Sequence, residues 1–88
     1  MRAIITVVGK DKVGIVAQVT EKLAQNNLNI VDLSQTLMDD FFTMIILVEK
    51  DEEVDFRKLQ EELTVTGQNL GLTIRIQNEE IFSAMHKI

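Results

Sequence analysis

The chain has 88 residues, no cysteine and a net charge of −5, with its nine Lys and Arg residues scattered rather than clustered. That length allows one domain, residues 1–88, built on a single core; the charge balance excludes the basic footprint of a nucleic-acid binder, and the lack of thiols excludes disulfides and thiolate metal sites and fits a cytoplasmic location. Hydrophobic residues at 45% and charged residues at 26% are the mix of an ordinary soluble fold, and no stretch reaches the ~20 apolar residues of a membrane span.

Arg2 to Val8 is β-branched and roughly alternating, with Ala3, Ile5 and Val7 on one face, and reads as a first strand. It runs into Gly9-Lys10-Asp11-Lys12-Val13-Gly14, after which a helical pattern begins. Asp11 is expected to cap that helix, and Gly9 to supply a turn conformation that a Cβ would resist. Gly14, early in the helix, calls for close approach by a ligand or another backbone. A helix entry of this kind presents unpartnered N–H groups and partial positive charge, which suit a carboxylate or phosphate. A capped turn with a glycine tolerated for packing explains the same residues without a ligand.

From Gly14 to about Asn26, Ile15, Val16, Val19 and Leu23 form the inner stripe of a first helix, closed by Asn26-Asn27. Asn29 to Met38 mixes apolar and polar residues as a strand with a wet face or at a sheet edge, and Asp39-Asp40 suits a short hairpin turn into Phe41 to Val48, a strand apolar on both faces. Phe56, Leu59, Leu63 and Leu70 face inward on a second helix whose start is crowded by Asp51, Glu52, Glu53 and Asp55, as the helix dipole favours, and whose end is punctuated by Gly67 and Gly71. Leu72 to Gln77 alternates as a fourth strand. Glu79 to Ile88 carries Ile81, Phe82, Met85 and Ile88 on a short amphipathic tail helix.

This order folds as an α+β, ferredoxin-like βαββαβ sandwich, an antiparallel four-stranded sheet in order 4-1-3-2 with both helices on one face. The other face would expose Ile4, Val8 and one side of the third strand, so the tail helix or a second subunit should cover it; a homodimer is the expectation. Met38, Met44 and Met85 are read as core filling.

The run Gly9-Lys10-Asp11-Lys12-Val13-Gly14-Ile15-Val16, then Leu23, Asn29-Ile30 and Asp32, within this element order, resembles an ACT domain over the whole chain. The likeness is greatest to small stand-alone ACT proteins and extends to the ACT half of glycine-cleavage transcriptional repressors. The family loop commonly reads Asp-Arg-Pro-Gly; here Asp11 and Gly14 keep the ends while Lys12 and Val13 replace the middle, losing the fixed φ of proline. The resemblance implies a regulatory module that binds an amino acid or similar small molecule, with no cofactor, at Gly9, Asp11, Val13, Gly14, Ile15, Asn29 and Ile30. In this reading the N–H groups of Val13, Gly14 and Ile15 receive the carboxylate and Asp11 or Asn29 the amino group, while the competing and slightly favoured role for Asn29 is to bond its own backbone after the helix. In ligand-binding relatives the region of Asn29 and Ile30 often faces the loop of a neighbouring subunit. A regulated enzyme or regulator in trans is the implied partner.

Catalysis finds little support. His86, the sole histidine, sits in the tail; Ser34 and Ser83 lack a nucleophile motif; Asp39-Asp40 and Glu79-Glu80 suit a turn and a helix entry better than paired acid–base work. The competing reading of the whole chain is a protein–protein adaptor or dimerisation module without a small ligand.

Overall fold

The computed structural model describes residues 1–10 and 13–80. Its elements run β1 (Arg2–Lys10), α1 (Ile15–Gln25), β2 (Asn29–Met38), β3 (Phe41–Glu49), α2 (Phe56–Leu70) and β4 (Leu72–Asn78). All strand pairings are antiparallel in the order β2-β3-β1-β4, the ferredoxin-like arrangement the sequence predicts. The tail helix lies outside the described residues beyond Glu80, and with it Ile81, Phe82, Ser83, Met85, His86 and Ile88.

The period-two pattern of β1 dictates which face is dry. Ala3, Ile5 and Val7 are fully buried, and the register sets them beside Val48, Ile46 and Met44 of β3 and, on the other flank, beside Asn78, Ile76 and Ile74 of β4. Ile15, Val19 and Leu23 of α1 and Leu59 and Leu63 of α2 join the same core, which holds no buried polar side chain among the described residues. Residues paired across an antiparallel ladder share a face. On the opposite face Val8, Phe41 and Ile45 are therefore neighbours, and each stays more than 40% exposed.

The helix ends follow local chemistry. Asp55 caps α2, its side chain accepting from the Lys58 N–H at 3.2 Å. Gly71 closes that helix at φ 71, and Asn27 and Asp39 take φ 58 and φ 59 after α1 and in the β2–β3 turn, as short polar residues can. Met44 is a core residue, but Met38 is 73% exposed, against the expectation of core filling.

Gly67 corrects the sequence reading. It does not end α2 but lies buried inside it, where an added Cβ would come within 2.6 Å of the Leu72 carbonyl oxygen and 3.3 Å of Ile74 Cγ1. Glycine there lets the last turns of α2 lie against β4.

Gln60 makes a second link between the same two elements. Its Nε2 donates to the Ile74 carbonyl at 2.9 Å and its Oε1 accepts from the Ile76 N–H at 2.8 Å, so one side-chain amide occupies the outer edge of β4 as a further strand's peptide group would.

Two stability measurements check this packing. Gly67→Ala should lower unfolding free energy by about 1–3 kcal/mol in urea titration despite the better helix propensity of alanine, because backbone must move to admit the methyl. Gln60→Leu should cost about 1–3 kcal/mol in the same titration by leaving two half-buried backbone groups of β4 unpaired.

Candidate functional site

The entry to α1 is built differently from the sequence expectation. The N-cap is Gly14, not Asp11: Gly14 sits at φ 86 and ψ 0, and the first helical bond runs from the Gln18 N–H to the Gly14 carbonyl at 3.0 Å. Asp11 and Lys12 lie outside the described residues. Gly14 is also not early in the helix, and crowding does not explain it, since the nearest atom to an added Cβ would be the flexible Gln18 Nε2 at 3.6 Å. The left-handed backbone explains it: β-carbon-bearing residues resist that region, and Gly14 turns the chain from the sheet into the helix.

Gly9 also departs from its expected role. It lies within β1, paired with Phe42 on one side and Leu72 on the other, and does not make a turn. An added Cβ would collide with Leu72 Cδ2 and come within 3.2 Å of the Gly71 carbonyl oxygen. Its missing side chain lets the junction of α2 and β4 close over the sheet.

A glycine N-cap offers no side chain to the first turn, and α1 has neither a side-chain cap bond nor an acidic residue there. Among the described residues the N–H groups of Ile15, Val16 and Ala17 are left without intrahelical acceptors, as at any helix start. Val13 and Gly14 are exposed beside them, while the Ile15 side chain is buried as the first anchor of α1. The arrangement is an amide-rich corner with partial positive charge, open to solvent and able to accept a small anionic group.

Asn29 and Ile30 do not lie beside this corner in the same chain. Asn29 opens β2 opposite Glu49, and Glu49 pairs with Arg2, whereas Gly9 pairs with Phe42. The interval from Phe42 to Glu49 along β3 spans about 23 Å at ordinary strand rise. Asn29 Nδ2 makes a long, exposed contact of 3.5 Å with Glu49 Oε1 across the strands rather than with its own backbone. Ile30 pairs with Val48 just before a register shift that ends at Asp32. Of the seven sequence-predicted site residues, Gly9, Val13, Gly14 and Ile15 gather at one end of the sheet and Asn29 and Ile30 at the other.

A feature the sequence reading missed lies at the Asn29 end. A shallow cleft of about 220 Å³ separates the C-terminus of α1 from the N-terminus of α2, with Lys50, Lys58, Glu53 and Glu62 in its walls. Its charges are of both signs, and Lys50 Nζ is already directed at the Asn26 carbonyl at 3.3 Å. Only the pairing of distant segments assembles it, so periodicity carried no signal for it.

Comparison with known proteins places this geometry. A family model described as ACT domain matches residues 2–77. A UPF0237 protein of Listeria innocua is 53% identical over 89 residues, covering all of both chains. Among solved structures, an ACT domain protein from Streptococcus pneumoniae superposes with a TM-score of 0.88 at 54% identity, covering 93% of each chain. A putative glycine cleavage system transcriptional repressor superposes at 0.76 with 25% identity, over 86% of this chain and 44% of that one.

The turn into α1 can be tested by substitution. Gly14→Ala should destabilise the fold by about 1–2 kcal/mol in thermal or urea unfolding, and Gly14→Asn should recover part of that loss, because asparagine enters the left-handed region more readily. Equal stability of the two variants would contradict the role assigned to φ.

Proposed function

The chain belongs to the ACT domain family, and on that premise we propose that it binds an amino acid or a similar small carboxylate and acts as a homodimer on a separate enzyme or regulator. The observation that carries the reading is the α1 entry, where a left-handed glycine leaves N–H donors uncapped by any side chain among the described residues, next to the exposed Val13. The amides of Val13, Gly14 and Ile15 receive the carboxylate, with Gly9 setting the close-packed floor. The amino group goes to Asp11 or to Asn29, beside Ile30, of a second copy, because Asn29 of the same chain is a sheet's length away. The similarity to a putative glycine cleavage system transcriptional repressor supports an amino-acid ligand.

Regulation rather than catalysis suits these residues. Backbone donors bind and orient a carboxylate, but they supply no group poised to move a proton, and the core contributes no polar side chain among the described residues. The helices of the described residues are none of them long and apolar enough to cross a membrane.

The adaptor reading draws on a different observation. Leu37, Met38, Val8, Phe41 and Ile45 leave apolar surface in solvent, which suits a protein partner without any small ligand.

Calorimetric titration with each of the twenty amino acids separates the two. The sensor reading expects saturable heat with at least one of them, together with ligand-dependent shifts of the Val13, Gly14 and Ile15 amide resonances. No heat with any, at a protein concentration where the chain is dimeric, would remove it and leave the adaptor.

A further inference from the structure

The helices cover one face of the sheet, and the opposite face is not uniformly exposed. Ile4 pairs with Leu47 of β3 and with Gln77 of β4, and all three are half-buried. Val8 and Ile45 lie on the same face of the same two central strands, nearer the β2–β3 turn, and each is 41% exposed. On β4, Thr73 and Arg75 are exposed where Gln77 is not. Position within the sheet does not explain the contrast, because β1 and β3 each have a strand on either side along their length. The Ile4 end has the burial of a surface with cover.

The chain leaves β4 at that end and on that side. Glu79 Oε2 pairs with Arg2 Nε at 3.1 Å, and Arg2, two residues before Ile4, belongs to the same face. The Asn78 side chain accepts from the Glu80 N–H at 2.8 Å, as an N-cap does, and Glu79 and Glu80 already take helical backbone. Residues 81–88, outside the described residues, carry Ile81, Phe82, Met85 and Ile88 at the three- and four-residue spacing of one apolar helical stripe.

We infer that residues 79–88 form a helix that folds back over the open face of their own sheet, its apolar stripe set against Ile4, Leu47 and Ile45. The reach fits. From the Ala3–Asn78 pair to the Thr6–Ile45 pair is three residues along the strands and two strand spacings across, a diagonal of roughly 14 Å. Residues 79–88 span about 15 Å as a helix. The turn with Ile81 and Phe82 then lies over Ile4 and Leu47, and the turn with Met85 and Ile88 reaches Ile45. Ser83 and Lys87 fall on the far side of that helix, toward solvent. Attachment at Asn78 keeps the segment at high effective concentration above this face, which favours it over a separate molecule with a similar stripe. The apolar surface left for another protein is then the turn end, with Val8, Met38 and Phe41. This arrangement does not rest on ligand binding at the α1 entry.

Cross-linking of the 88-residue chain tests it. Because the sequence lacks cysteine, the double variants Leu47→Cys/Met85→Cys and Val65→Cys/Met85→Cys each carry only the two introduced thiols. Both are treated with a short bis-maleimide and weighed by mass spectrometry under denaturing conditions. The first should give mostly single chains closed by one linker. The second, with Val65 exposed on α2 across the sheet, should give single chains bearing two linkers. Paired chains from Leu47→Cys/Met85→Cys would mean that the stripe covers a second copy, and no link between those thiols would leave the face to another occupant; either result overturns the inference. Thermal unfolding gives an independent check: Met85→Asp should lower Tm by about 5 °C or more and Ser83→Asp by less than about 2 °C. Equal shifts in the two variants would also overturn it.

Discussion

The register between β1 and β3 is the constraint on which the rest depends. Ile5 opposite Ile46 and Val7 opposite Met44 place two fully buried rows side by side, and a slip of one residue would turn each row to solvent. That register fixes where the chain must leave β1 for α1, where β2 begins, and which residues share the face away from the helices. The distance between Gly14 and Asn29 is thus a consequence of core packing, not of anything local to either residue.

The four glycines separate into two physical roles. Gly14 and Gly71 adopt positive φ at the start of α1 and the end of α2, so they set chain direction. Gly9 and Gly67 carry no such strain; they are positions where Leu72, its backbone or its side chain, lies too close for a methyl group. Leu72 is thereby gripped from strand and helix at once, and the junction of α2 with β4 is held against the same end of the sheet from which α1 departs. The exposed amide corner stands on a tightly packed floor.

The two sheet edges show how one side chain changes what a surface can do. Gln60 reaches from α2 because that helix lies along β4, and its amide has the donor and acceptor that an edge peptide lacks. β2 is joined only to β3 and has no helical residue bonded over its outer side among the described residues. Unsatisfied polar edges invite pairing, and the uncharged run from Leu33 to Met38 does nothing to repel it.

Much of this protein was determined by its sequence alone. Element order, the inner rows of β1 and β4, the inner stripes of both helices and the bounds of β2 follow from period-two and period-3.6 patterns, which express local backbone geometry and so need no knowledge of neighbours, and strand order follows from the handedness of the connections between those elements. The motif around Gly14 was enough for a family. Tertiary structure decided the rest: Gly14 rather than Asp11 as the cap, Gly9 and Gly67 as close-contact positions, Met38 in solvent, Gln60 as the cover of an edge, and Asn29 at the far end from the loop it resembles a partner of. Each of these depends on which segments the fold brings together across tens of residues, and a glycine needed for its φ is spelled the same as one needed for lack of a side chain.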